Sequence, residues 1–118
     1  MDQMPYSMDG PRRRVVLAAI REVCSYRGWL LLVAHVRMTH VHLIVEAEVR
    51  PEPILNSIKA YASRKLNEMA VEGTGRKRWA RHGSTRWLWN DDDVASAVRY
   101  VMEEQGEAMA LFVSGDFR

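Results

Sequence analysis

Residues 29–49, WLLLVAHVRMTHVHLIVEAEV, contain the pattern that decides the fold. The first eight residues, 29–36, form a short apolar run, which is typical of a buried strand. In residues 40–49 one set of alternate positions is entirely apolar and the other is polar apart from Ile44, as expected of a strand with one face on the core and one face in solvent. Residues 37–39 leave only a tight link between them, so the two strands are predicted to pair as an antiparallel hairpin.

Helical periodicity flanks this hairpin on both sides. Apolar residues at helical spacing predict an amphipathic helix over residues 12–26 and a second helix from 51 to about 71. A short aromatic strand is predicted at 86–89, followed by a third helix from about 92 to 105. Residues 109–113 are expected either to add a short strand or to pack on the core. The order αββαβα predicts an α+β domain, with helices gathered on one face of a small antiparallel sheet.

Length and composition indicate one compact domain. The chain has 118 residues, of which 47% are apolar and 27% are charged, which is the mix of an ordinary globular protein. A single domain over 1–118 is therefore expected, with residues 1–10 as an N-terminal extension. Cys24 is the only cysteine, which excludes an internal disulfide and fits a reducing cytoplasm. No stretch approaches the roughly 18 apolar residues of a membrane span, so no membrane partner is expected.

The sharpest candidate for chemistry is the pair His40 and His42. Side chains two residues apart on a strand point to the same face, about 6.6 Å apart along the backbone, so their imidazoles can converge on one metal ion. On the third helix, Tyr100 and Glu104 are four residues apart and share a face, where a carboxylate could act as the third ligand. The ordinary interpretation is that the histidines are exposed strand residues, the tyrosine lies at the edge of the core, and the acidic helix face is solvated.

Charge is distributed unevenly along the chain. The formal net charge is +2 over residues 1–50, +5 over 51–90 and −5 over 91–118. The middle segment is therefore predicted to bind an anionic partner, and its interleaved cations and tryptophans suit single-stranded nucleic acid. The alternative is a solvated loop with tryptophans buried beneath it. The predicted DNA-binding side chains are Lys59, Arg64, Lys65, Arg76, Lys77, Arg78 and Arg81.

An ordered set of motifs resembles the single-tyrosine HUH transposases, with the REP-associated tyrosine transposases as the most similar branch. The motifs are residues 40–42 (HVH), 58–66 (IKAYASRKL), 79–83 (WARHG) and 98–101 (VRYV). The likeness covers roughly residues 12–112 in the family's order. The HVH motif alone is weak, whereas the ordered set is fairly specific.

The resemblance implies a ferredoxin-like (RRM-like) α+β fold and a metal-dependent nuclease that nicks and rejoins single-stranded or hairpin DNA in transposition. In the family the two motif histidines bind a divalent metal, Mg²⁺ or Mn²⁺, and they map here to His40 and His42. A polar residue one turn after the tyrosine completes the site and maps to Glu104. The nucleophile maps to Tyr100, which would form a 5′-phosphotyrosine link and release a 3′-OH.

The resemblance leaves several alternatives open. A different local register would make Gln105 the third ligand instead of Glu104. The family's first strand precedes the first helix, and here it is missing or improvised from residues 1–8. A catalytically inactive nucleic-acid-binding relative is therefore the alternative function, and a protein–protein module without nucleic-acid affinity is a third. Homodimers, some of which exchange the tyrosine helix, occur in the family, and a bacterial-type cytoplasmic, nucleoid-associated location is expected.

Overall fold

A computed structural model describes residues 6–69, 78–79, 88, 90–103 and 109–115. Within these ranges the elements are α1 (Gly10–Arg27), β1 (Leu30–Val36), β2 (Val41–Glu46), α2 (Pro51–Glu68), α3 (Asp91–Glu103) and β3 (Ala110–Val113). The three strands form one antiparallel sheet in the order β2-β1-β3. The α+β class and the antiparallel sheet that the sequence predicts are confirmed, and the arrangement is consistent with a truncated ferredoxin-like fold.

The predicted hairpin is present, with a second strand shorter than the alternating pattern suggests. The pairing of β1 with β2 runs from Val36 opposite Val41 to Leu30 opposite Glu46. Leu30 is the first residue of β1 and follows the turn at Gly28, so β1 offers no partner to residues 47–49. Alternation alone therefore overestimates the strand by three residues at its end and by one residue, His40, at its start.

The third strand of the described sheet is formed by residues 110–113, which pair with β1. Of the two outcomes expected for 109–113, the strand is the one that the structure contains. The strand predicted at 86–89 lies outside the described residues, apart from Leu88. Residues 6–8 precede α1 and do not form a strand of the sheet. The Met8 N–H donates to the Met38 carbonyl at 2.8 Å.

Local sequence signals explain both ends of α1. The Asp9 side chain accepts a hydrogen bond from the Arg12 backbone N–H at 3.0 Å, and Pro11 lies in the first turn, where its missing N–H costs no helical bond. Gly28 ends the helix at φ 75°, a left-handed conformation that glycine adopts most easily. Among the described residues, no helix combines the length and the apolar character needed to cross a membrane.

Both faces of the sheet are apolar, and helices cover each of them. Leu31, Ala34 and Val36 of β1 belong to the core formed with α1 and α2. Leu32 and Val33 pack instead against the buried valines of α3. The expectation that all helices gather on one face is therefore corrected for α3, which lies on the opposite face. The physical reason is the apolar run of β1, because a strand that is hydrophobic on both faces needs cover on both.

Candidate metal and tyrosine site

His40 and His42, named here the histidine pair, lie side by side at the start of β2. Their ring centroids are 6.1 Å apart, and their ring planes differ by 22°. Ile44, two residues further along the same face, packs with the apolar cluster of α3. The pair therefore belongs to the sheet face that α3 covers, with His40 exposed and His42 half-buried.

The environment of His42 favours its neutral imidazole. Burial lowers the pKa of His42, and electrostatic interaction with His40, His35 and Arg37 lowers it further. A neutral ring has the free nitrogen lone pair that a metal ion requires. The Thr39 hydroxyl lies 2.9 Å from Nδ1 of His40, and a hydrogen bond to one ring nitrogen typically orients a histidine that binds a metal through the other. The two side chains therefore fit a divalent cation.

The third predicted ligand cannot be placed beside them. Within the part of the chain that the structure describes, no group of three or more His, Cys, Asp or Glu side chains could hold a metal ion. Glu104 and its alternative Gln105 both lie outside that part. The identity of the third ligand stays a prediction.

Tyr100 lies in the last turn of α3, the helix that packs on the same sheet face as His42. The next residue, Val101, is buried against β1. The Tyr100 side chain is 51% exposed. α3 therefore leaves the phenol exposed, where a substrate in solution can reach it.

His35 is a buried histidine next to the pair, and the sequence analysis did not single it out. It is 0% exposed and lies directly opposite His42 in the pairing of β1 with β2. Its Nδ1 is 3.2 Å from the carbonyl oxygen of Val101, and its Nε2 is 2.9 Å from the backbone nitrogen of Met109. Burial lowers its pKa. The sequence carries no clear signal for it, because the predicted link at 37–39 would place His35 opposite Val41, whereas the observed register places it opposite His42.

The predicted DNA-binding side chains divide into two groups. Lys59 and Arg78 line the cleft along β2 that the histidine pair also lines. Arg64 and Lys65 lie further along the same helix, α2, where their charged groups are 5.2 and 5.4 Å from the centre of the Tyr61 ring. The other predicted side chains, Arg76, Lys77 and Arg81, lie outside the described residues. Two of the four described cations therefore border the same cleft as the histidines, from the α2 side of the sheet.

Residues 78 and 79 of the basic segment contact α2. The Arg78 guanidinium donates to the Asn67 side chain at 2.8 Å. The Trp79 indole N–H donates to the Ser63 hydroxyl at 2.7 Å, and its partly buried ring packs against the core formed with α1 and α2. Trp79 therefore fits the ordinary interpretation of a tryptophan that packs on the core.

Comparison with known proteins gives one match. A family model described as "Transposase IS200 like" matches residues 7–104. The matched range runs from α1 to the end of α3 and includes the histidine pair, His35 and Tyr100. No curated protein and no solved structure matches the chain.

Proposed function

The chain belongs to the IS200-like transposase family, and on this premise we propose that it is a metal-dependent endonuclease and strand transferase for single-stranded DNA. Membership of the family implies a role in DNA transposition and binding to DNA. The observation that best supports the finer proposal is the packing of α3, with Tyr100 in its last turn, on the sheet face that bears the histidine pair.

In this proposal His40 and His42 hold a divalent cation, Mg²⁺ or Mn²⁺, and Glu104 is the third ligand. The neutral state favoured for His42 and the Thr39 contact to His40 support the first two assignments. Imidazole and carboxylate donors suit Mn²⁺ or Mg²⁺ in an open site. When bound, the cation polarises the scissile phosphate and stabilises the charge that develops on it in the transition state.

Tyr100 supplies the nucleophile. A free tyrosine has a pKa of about 10 and is mostly protonated at neutral pH, so its oxygen needs an activated phosphate. Attack of the Tyr100 Oη on phosphorus forms a 5′-phosphotyrosine bond and breaks the bond to the 3′ oxygen. The phenol proton is lost, and the leaving oxygen takes up a proton to become a 3′-OH. Because the new link is again a phosphodiester, a 3′-OH can attack it and rejoin strands.

The substrate we propose is single-stranded or hairpin DNA that runs along the cleft beside β2. Lys59 and Arg78 support this path, because they line the same cleft as the histidine pair and cations neutralise phosphates. Homodimerisation and a cytoplasmic, nucleoid-associated location complete the proposal. Light scattering coupled to size exclusion tests the first, and fractionation of cells tests the second.

The decisive experiment traps the covalent intermediate. The protein is incubated with Mn²⁺ and a hairpin oligonucleotide labelled at its 3′ end, then analysed on a denaturing gel. We expect a labelled protein–DNA adduct that EDTA and Tyr100→Phe both abolish. Tyr26→Phe is the matched control, because Tyr26 is 85% exposed on α1 and should leave the adduct unchanged. An adduct that persists in Tyr100→Phe would disprove the assignment of the nucleophile.

Metal binding separates this function from its alternative. Calorimetric titration with Mn²⁺ should give one site in the wild-type protein and none in His40→Ala or His42→Ala. Binding of DNA without an adduct and without metal binding would instead support a catalytically inactive nucleic-acid-binding relative.

A further inference from the structure

We propose that His35 is a positioning residue that fixes the last turn of α3, and with it Tyr100, against the sheet beside the histidine pair. This inference rests on the proposed function, since it concerns the geometry of that same site. His35 itself touches neither substrate nor metal in this scheme. Its role is to hold the elements that do.

The first contact joins the ring to the last described turn of α3. Nδ1 of His35 lies 3.2 Å from the carbonyl oxygen of Val101, so the ring can donate a hydrogen bond to this backbone group. Val101 directly follows Tyr100, so this bond fixes the backbone next to the nucleophile.

The second contact joins the same ring to the start of the third strand. The backbone N–H of Met109 donates to Nε2 of His35 at 2.9 Å. Accepting at Nε2 while donating at Nδ1 requires the neutral ring with its proton on Nδ1. The ring is 0% exposed, so breaking either bond would leave a buried polar group without its partner. One imidazole thus ties together β1, the end of α3 and the residue that enters β3.

The location of His35 connects these contacts to the metal site. His35 and His42 face each other across the hairpin, so the residue that bonds to the backbone of α3 also neighbours a proposed metal ligand. A chain of neighbouring residues therefore connects the proposed ligand to the nucleophile. His42 pairs with His35, His35 bonds to Val101, and Val101 directly follows Tyr100. Misplacing a reacting group by about 1 Å can cost about 10²-fold in rate. Loss of the His35 bonds should therefore slow the chemical step far more than it weakens DNA binding.

The kinetic test compares three variants in single-turnover adduct formation. His35→Leu keeps an apolar volume and removes both hydrogen bonds, and we expect its rate constant to fall about 10²-fold while the DNA dissociation constant changes little. His35→Asn retains a donor near the position of Nδ1 and should recover much of the rate. Val36→Ala is the control for lost packing, because Val36 is buried on the other face of β1. Its folded fraction should react at the wild-type rate.

Two measurements without any activity make the test independent of the proposed function. Nitrogen-15 NMR of the wild-type protein should find His35 as the Nδ1–H tautomer. The Met109 amide should exchange slowly in the wild-type protein and in Val36→Ala, and faster in His35→Leu. A protein that forms no adduct but gives this exchange pattern would refute the nuclease proposal and leave the positioning of α3 supported. A wild-type rate in His35→Leu, the other tautomer, or an unprotected Met109 amide would overturn the inference.

Discussion

Cys24 is the only thiol of the chain, and its side chain is 1% exposed on the core face of α1. Burial raises its pKa from 9.0 to about 11. Because the thiolate is the reactive form of cysteine, a disulfide reagent at mildly alkaline pH should label almost none of the folded protein and one thiol per chain in guanidinium chloride. Fast labelling of the folded protein would contradict the buried position.

The raised pKa of Cys24 also predicts how the stability of the fold depends on pH. The unfolded thiol ionises near pH 9.0, whereas the folded thiol ionises only near pH 11. The contribution of Cys24 to the free energy of unfolding is therefore complete below pH 9 and is lost as the pH rises through this interval. Denaturation of Cys24→Ala at several pH values should show a weaker decline over this interval than the wild-type protein does.

Thr39 is expected to strengthen metal binding, because its hydroxyl contacts Nδ1 of His40 at 2.9 Å. Removing a partner that orients a histidine ligand typically weakens metal affinity, and we expect about a tenfold loss of Mn²⁺ affinity in Thr39→Val. Thr39→Ser keeps the hydroxyl and serves as the control, with affinity close to that of the wild-type protein. Calorimetry measures both, and equal affinities in the two variants would show that the hydroxyl does not orient His40.

The histidine pair and His35 mark the limit of what residue-level reasoning can predict here. His40 and His42 share a face because side-chain direction in a strand repeats every two residues, so their arrangement can be predicted from the local sequence alone. The contacts of His35 instead join it to Val101 and Met109, which are 66 and 74 positions away. No periodicity relates residues so distant, so only the packed molecule identifies this group.

Among the elements, α1 is the one whose boundaries are most completely encoded locally. Its predicted range differs from the observed Gly10–Arg27 by two residues at one end and one at the other, because Asp9 and Gly28 supply caps that act over a few residues. The side on which α3 packs could not be predicted in this way. Residues 31–36 of β1 are all buried, and such a run does not reveal which helix covers which face.

Gly28 allows a direct test of the end of α1. Its φ is 75°, and an added Cβ would meet no atom of the described residues within 4 Å, so we expect the cost of substitution to come from the backbone. Gly28→Ala should lower the free energy of unfolding by about 1 kcal/mol, since L-residues are disfavoured in the left-handed region. Gly28→Asn is the control and should cost less, because asparagine tolerates this conformation. Urea denaturation measures both, and an Ala variant as stable as the wild-type protein would contradict the argument.

At the scale of the whole molecule, the four described cations of residues 51–90 form two sets. Lys59 and Arg78 line the cleft that the histidine pair also lines, whereas Arg64 and Lys65 lie beside Tyr61 further along α2. The described cations are therefore not equivalent for a strand that follows the cleft, although the sequence presents residues 51–90 as one segment with a charge of +5. A DNA strand that approaches Tyr100 should depend on the first set more than on the second.

Salt dependence of DNA binding distinguishes the two sets. Each neutralised phosphate contributes about −0.7 to the slope of log K against log salt for a single strand, so Lys59→Gln should make the slope less steep by about that amount. Lys65→Gln is the matched control, because it removes the same charge from the same helix next to Tyr61, and it should leave the slope unchanged. Fluorescence anisotropy with a single-stranded oligonucleotide at several salt concentrations gives both slopes. If Lys65→Gln changes the slope and Lys59→Gln does not, the DNA does not follow the cleft that Lys59 lines, and the proposed path past the histidine pair to Tyr100 is wrong.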